Sequence, residues 1–417
     1  MLEYGLLIII IALAIGFVMT WGVGANDLAN IMSTAMGSKS LTVPQAMMIA
    51  VIFEIAGALL NGAHVTHTIK NGIINTGLLA YSPYTLVFGM LSVLLASGTW
   101  MLFASYIAMP VSITNAIVGS IVGFGLIVLG PHAVHWHIVI TIAISWICAP
   151  TISCIVSYFL FIIIKRTIFN QLSPAKSAHR AIPIYFFIVG MVLTDMTILK
   201  GLEHFHVYLS SPAKFFTMII CSLIFAIVGN LLTKKIPFDP TSKRFRQHIY
   251  VEKLFSVLMA FTACAMVFAH GSNDVAIAMG PIAAIMSIVR HNGDIANSFP
   301  HWILLFGCIG VITGLFMYGR KVIITVGTNI TDLTPSRAFA ATLASATTVI
   351  VSTSTGIPVS ATQTLVGGVL GVGLARGIGA LNVTTLRNIF MSWVITVPVA
   401  AILSVVFYYL LTYLFGA

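Results

Sequence analysis

Apolar runs of about 20 residues, the length a helix needs to cross a bilayer, recur from one end of this chain to the other. They lie at 4–22, 44–63, 84–108, 136–164, 183–201, 213–233, 253–270, 299–319, 338–353 and 388–414. Further apolar stretches, interrupted by glycine and proline, lie at 25–37, 110–130, 273–289 and 357–375. Hydrocarbon offers the backbone no hydrogen-bond partner, so runs of this length satisfy their own polar groups as helices. Composition agrees: 7% of the 417 residues are charged, against about 25% in a soluble domain. The chain therefore reads as an all-α, polytopic membrane protein with about 10–12 transmembrane helices plus broken or re-entrant half-helices. The first run lacks a basic start and flows into Trp21-Gly22, so it reads as a retained span and not a cleaved leader.

Charge gives the orientation. Of the 20 lysines and arginines, half fall in two short loops. Lys165, Arg166, Lys176 and Arg180 mark one; Lys234, Lys235, Lys243, Arg244, Arg246 and Lys253 mark the other. Two spans separate them, so both lie on one face, and the positive-inside rule makes that face cytoplasmic. A multi-pass protein of the plasma (inner) membrane is expected. The net charge of +10 is thereby assigned to loops, and no nucleic-acid partner is implied. No GxxxxGK[ST] loop occurs, so transport would run on ion gradients or downhill. The five cysteines show no repeating spacing and form no disulfide framework.

Two motifs each occur twice. Gly24-Ala25-Asn26-Asp27-Leu28-Ala29 is echoed by Gly271-Ser272-Asn273-Asp274-Val275-Ala276. Pro110-Val111-Ser112-Ile113-Thr114-Asn115 is echoed by Pro358-Val359-Ser360-Ala361-Thr362-Gln363. Asp27 and Ser112 stand 85 positions apart, Asp274 and Ser360 86. Equal spacing of two independent motifs indicates internal duplication: a first repeat over 1–164, a connecting segment over 165–252 with the two basic loops and two helices, and a second repeat over 253–417. Duplicated membrane folds place their site where the halves meet. Parallel or inverted relation depends on whether 110–130 crosses or turns back, which hydropathy leaves open.

Three acids, Asp27, Glu54 and Asp274, fall in apolar surroundings. A carboxylate at the centre of a span costs about 2.5–3.5 kcal/mol on insertion scales, so something must offset it. Helix capping is one answer. The other is that Asp27 and Asp274, with the amide oxygens of Asn26 and Asn273, hold Na⁺ or a proton, with Glu54 beside them. Aligning Phe53 with Phe306 makes Gly307 the counterpart of Glu54, so any role of that acid is asymmetric. Each Pro-Val-Ser-x-Thr motif reads as the start of a half-helix, proline being tolerated at a helix's first position. The free N–H groups and positive dipole end of two such starts, with the hydroxyls of Ser112, Thr114, Ser360 and Thr362, would form a cradle for a small oxyanion. Close helix packing through Gly119, Gly123, Gly367 and Gly371 is the plainer reading of the small residues there. No arginine lies in these motifs, so an anion would need the cations beside it. His64 and His67, and His132, His135 and His137, have metal-like spacings without partner cysteines or carboxylates, and no metal is expected beyond Na⁺. No nucleophile–base arrangement suggests an enzyme.

The paired motifs resemble those of the inorganic phosphate transporter (PiT) family. The resemblance extends through Gly37-Ser38-Lys39, Phe53-Glu54 with Gly57, Tyr318-Gly319-Arg320, Leu333-Thr334-Pro335-Ser336-Arg337, Val369 to Gly377, and Arg387 to Phe390 with Ser392-Trp393. It implies secondary symport of inorganic phosphate with Na⁺ or H⁺ by alternating access, through two inverted repeats, commonly as a homodimer and with no cofactor but the coupling ion. The family's Ser-Thr-Thr-His segments map onto 112–115 and 360–363, where this chain has Ile113 and Asn115, Ala361 and Gln363. Two hydroxyls are thus missing, which keeps another tetrahedral oxyanion such as sulfate as a rival substrate. Acceptors such as Asp27 and Asp274 favour phosphate, which can donate a hydrogen bond through its own hydroxyl. A passive anion channel fits less well, since channels use rings of like charge or aligned carbonyls.

Overall fold

The structure, a computed structural model, describes residues 5–62, 65–66, 69, 72–74, 83–199, 202–203, 207–237, 243–290, 301–329 and 331–415. Twelve helices of nine residues or more make up the fold among these: α1 (Gly5–Gly37), α2 (Val43–Asn61), α3 (Pro83–Tyr106), α4 (Ile113–Phe124), α5 (Trp136–Phe169), α6 (Pro174–Ile198), α7 (Ser211–Lys234), α8 (Arg244–Val289), α9 (Trp302–Asn329), α10 (Pro335–Ser354), α11 (Ala361–Arg376) and α12 (Val383–Phe415). No strand occurs among the described residues, only a bridge between Ile74 and Val134. The all-α polytopic architecture expected from the sequence is the one adopted, with nine helices among the described residues long and apolar enough to cross a membrane. The runs outnumber these helices for physical reasons. Stretches 25–37 and 273–289 continue the helices before them through a π-helical turn, so α1 and α8 are unbroken. Run 338–353 falls on α10, a helix of 20 residues that is not apolar enough to count among the nine. His64 and His67 lie outside the described residues.

The two Pro-Val-Ser segments form the tips of two helical hairpins, α3–α4 and α10–α11. Each is clipped across its arms by serine: Ser97 meets Ser120 at 3.2 Å, and Ser345 donates to the Thr364 carbonyl at 3.2 Å. Both tips turn through one left-handed residue, Ala108 (φ 54°) in the first and Gly356 (φ 74°) in the second. The long helix α12 relates the hairpins. It starts six residues past the α11–Gly377 turn and ends with Phe415 stacked on Phe88, near the start of α3, at 5.9 Å. The hairpins therefore enter from opposite ends of the molecule, and their tips face each other at its middle.

Each half is built against the other. Gly119 and Gly123 on α4 press onto Val397 and Ala401 of α12, and Gly367 and Gly371 on α11 press onto Pro150 and Cys154 of α5. A Cβ at any of the four would fall into the partner backbone, which is the close packing expected of them. Ser392 of α12 donates to the Pro110 carbonyl at 2.9 Å, and Ser145 of α5 to the Pro358 carbonyl at 3.3 Å, so each tip hangs on a long helix of the opposite half. Helices α6 and α7, between the halves, pack on α8 through Tyr185, Phe186 and Phe225. Helix α8 begins at Arg244, ahead of the boundary expected at 253.

Candidate functional site

Both Asn-Asp pairs sit inside π-helical turns, Gly24–Leu28 in α1 and Gly271–Val275 in α8. A π turn admits one extra residue and re-aims the side chains it carries, and such turns gather at functional positions. Glycine opens each turn because another backbone lies against it: Gly24 faces the Val311 carbonyl of α9, and Gly271 faces the Glu54 carbonyl of α2. The reciprocal pair, Gly57 on Phe268 and Gly314 on Trp21, has the same register. This fixes the equivalence of α2 and α9: the counterpart of Glu54 is Val311, not Gly307. Glu54 follows Asp27 by 27 positions and Val311 follows Asp274 by 37, so alignment on phenylalanines alone slips by one helical turn. The role of Glu54 stays asymmetric.

Each aspartate reaches across to the other half through one oxygen, and Asp27 spends its second on its own half. Asp27 Oδ2 accepts the N–H of Ile113, the first residue of α4, at 3.0 Å, while its Oδ1 accepts from the Thr362 hydroxyl of α11 at 2.9 Å. Asp274 Oδ1 accepts from the Thr114 hydroxyl of α4 at 3.3 Å. The asparagines tie the turns to the tips. Asn26 Nδ2 donates to the Met109 carbonyl at 2.9 Å and its Oδ1 accepts from Val111 N–H at 3.1 Å. Asn273 Nδ2 donates to the Val359 carbonyl at 2.6 Å. Ser112 and Ser360 are the N-caps of α4 and α11, accepting from the N–H of Asn115 at 3.3 Å and of Gln363 at 3.1 Å. A serine hydroxyl that accepts as a cap keeps its own proton to give. Thus Asn26, Asp27, Ser112, Thr114, Asn273, Asp274, Ser360 and Thr362 converge on one buried place, none more than 2% exposed.

Glu54 is buried as well, but its Oε1 is taken by His270 Nδ1 at 2.6 Å, and His270 Nε2 lies 3.9 Å from Asp274 Oδ2. Glu54 therefore meets the aspartates through His270. The sequence reading passed over His270; its signal was a histidine in an apolar helix directly before Gly-Ser-Asn-Asp. Its equivalent in the first half is Val23, opposite Val311, so the ionisable pair stands on one side only.

Several buried acceptors here have no donor among the described residues: Asp274 Oδ2, Asn273 Oδ1, Glu54 Oε2, Asn115 Oδ1 and Gln363 Oε1. A buried carboxylate oxygen without a partner is costly unless a cation or proton satisfies it. Oxygen donors of this kind suit a hard monovalent cation. Asn115 and Gln363 stand where the resembled family has histidine, and both line a cavity of about 490 Å³ between α5, α11 and α12. Trp146 and Trp393 line it too, each with an unpartnered indole N–H. The amides and indoles put polar groups into an otherwise apolar chamber beside the tips, a feature the sequence reading missed because it treated both amides only as losses. Elsewhere, His135 Nδ1 lies 2.8 Å from the Gly72 carbonyl, a loop contact.

Comparison with known proteins gives a consistent picture. The sequence pattern described as the phosphate transporter family matches residues 23–404. A Haemophilus influenzae protein, provisionally named a phosphate permease, is 44% identical over 99% of this chain and 99% of its own length. The inorganic phosphate transporter 2-1, chloroplastic, of Arabidopsis thaliana is 39% identical over 96% of this chain and 71% of its own. A solved structure titled the sodium-dependent phosphate transporter superposes with a TM-score of 0.88 at 37% identity, covering 97% of this chain and 99% of that one.

Proposed function

The chain belongs to the phosphate transporter family, and on that premise we propose that it carries inorganic phosphate across the membrane by symport with a cation, Na⁺ or H⁺, through alternating access. Membership of a family of transporters sets the membrane-enzyme reading aside. The observation that carries the proposal is the crossing of the motifs: each Asn-Asp carboxylate is bonded to the hairpin tip of the opposite half, Asp27 to Thr362 and Asp274 to Thr114. Cation groups and anion groups are therefore one network. A cation at Asp27 and Asp274, with Asn26 and Asn273, lowers the cost of an anion at the α4 and α11 starts, and by reciprocity the anion tightens the cation. Phosphate would be held by Ser112, Thr114, Ser360 and Thr362, joined by Asn115 and Gln363. Its own hydroxyl would donate to an aspartate, which sulfate at neutral pH cannot do. Glu54 acts as a positioning residue through His270. The unpartnered oxygens of Asn273 and Asp274, and a similar structure titled sodium-dependent, favour Na⁺.

In this reading residues 1–164 and 253–417 are inverted repeats joined by 165–252, with the hairpins closing the site from opposite faces in turn. A homodimer in the plasma membrane is the assembly we assign. The test is radiolabelled phosphate uptake into proteoliposomes under separate sodium and proton gradients, with excess unlabelled sulfate present. Uphill uptake driven by one gradient and resistant to sulfate is the expected result and names the cation. Uptake that ignores both gradients would sink the coupling, and displacement by sulfate would change the substrate.

A further inference from the structure

The end of the molecule where hairpin α10–α11 opens carries a second cavity, of about 660 Å³. It is not part of the site at the tips. Helix α11 bears Thr362 at one end and Arg376 at the other, 14 residues away, or about 21 Å along a helix. Four cations line this cavity, each from a different helix: Lys165 of α5, Arg244 of α8, Arg337 of α10 and Arg376 of α11. All four lie on the face of the two basic loops.

Among the described residues their charge is only partly answered. Glu252 is the acid among the lining residues, and both its oxygens are used at the start of α10, accepting from Ser336 N–H at 2.8 Å and Ser336 Oγ at 2.9 Å. Asp332 lies 3.8 Å from Arg376 Nη2 but is 89% exposed, so water and salt weaken that pair. Its backbone carbonyl instead draws the two guanidiniums together, accepting from Arg337 Nη1 at 2.9 Å and Arg376 Nη1 at 3.3 Å. Like charges so gathered repel unless an anion lies between them. His248 lines the same space, with a buried Nε2 that has no partner among the described residues.

We infer that this cavity is a binding site for a phosphate group, from a free phosphate or an anionic lipid headgroup, distinct from the site at the hairpin tips. Paired guanidiniums match the oxygens of a phosphate two at a time, and lysine adds a point charge. Because the four cations belong to four helices, a bound phosphate ties the α10–α11 hairpin to α5 of the first half and α8 of the second. Occupancy should therefore raise the thermal stability as well.

The test uses full-length protein purified in detergent and carrying Asp27→Asn and Asp274→Asn, so that the tip site is disabled. Binding of radiolabelled orthophosphate and of short-chain phosphatidylglycerol is measured separately, with and without Lys165→Gln and Arg244→Gln. At least one probe should bind, raise Tm, and lose about tenfold in affinity when the two cations are removed. Binding of orthophosphate alone assigns the source to free phosphate, and of the lipid alone to a headgroup. No binding of either probe, or binding indifferent to Lys165→Gln/Arg244→Gln, overturns the inference. If the aspartate variant is not recovered, lipid binding to the otherwise unaltered protein must still fall on the same two substitutions. Failure here leaves the uptake result untouched, so the two readings fall separately.

Discussion

Asp27 and Asp274 hold equivalent places in the two halves, yet they are bonded differently. Asp27 spends one oxygen on a helix N-terminus and the other on Thr362, whereas Asp274 has one oxygen on Thr114 and one with no donor, facing His270. Because each aspartate accepts from the threonine of the opposite half, their variants should couple in crossed pairs. Asp27→Asn should lower cation-driven uptake by about tenfold or more, the loss expected when a charged hydrogen bond is removed. Adding Thr362→Val should cost little further, whereas adding Thr114→Val should add its own full penalty. Uptake measured over this double-mutant cycle checks it; additive losses for the Asp27–Thr362 pair would separate the two residues. The serines need a different design, because Ser112 and Ser360 also cap their helices. Serine to alanine at an N-cap costs about 1 kcal/mol, but serine to glycine only a few tenths. Ser112→Gly with Ser360→Gly should therefore leave Tm nearly unchanged while raising the KM for phosphate several-fold. A KM that stays put would reduce these serines to caps.

At the scale of the element, the hairpin tips are where the two halves diverge in strain. Gly356 takes its positive φ freely, but Ala108 holds the same conformation with a Cβ, at about 1–2 kcal/mol for an L-residue. Ala108→Gly should stabilise the protein by about 0.5–1 kcal/mol after glycine's entropy loss, and Gly356→Ala should destabilise it by about 1–2 kcal/mol. Thermal unfolding in detergent reads both; equal and negligible shifts would mean that the tips relax. The helix starts were legible in the sequence, but not the residue that makes them. Ser112 and Ser360 cap α4 and α11, while Pro110 and Pro358, read as first helical positions, lie two residues ahead of the caps and outside the helices. The strain was not legible either, because alanine gives no sign of a left-handed turn. Nor was the continuity of α1 and α8. A polar Asn-Asp pair breaks a hydropathy run, while a π turn keeps the backbone helical through it. Glu54 was visible as a lone intramembrane acid, but its tie to His270 spans 216 positions and leaves no local trace.

For the whole molecule, two motifs at equal spacing point to duplication in the sequence, but the way the two halves of the chain interlock was not legible, because contacts between halves carry no periodicity. Each tip is suspended from a long helix of the other half, Pro110 from Ser392 and Pro358 from Ser145, and each hairpin's glycine face is covered by that same helix. Neither half can close its own packing: without α12, α4 exposes Gly119 and Gly123, and without α5, α11 exposes Gly367 and Gly371. The tip carbonyls would also lose their donors in a medium without water to replace them. The connecting helices α6 and α7 contribute none of these contacts between halves. A chain cut in the loop between Lys235 and Lys243 should therefore regain function when both pieces are made together. Each piece made alone should give neither a monodisperse protein on gel filtration nor phosphate uptake. Co-expressed pieces should co-purify through a tag on one of them and restore a measurable fraction of cation-driven uptake. Stable, separately folded halves would mean that the interlock adds little, and that the two copies meet only through the substrate.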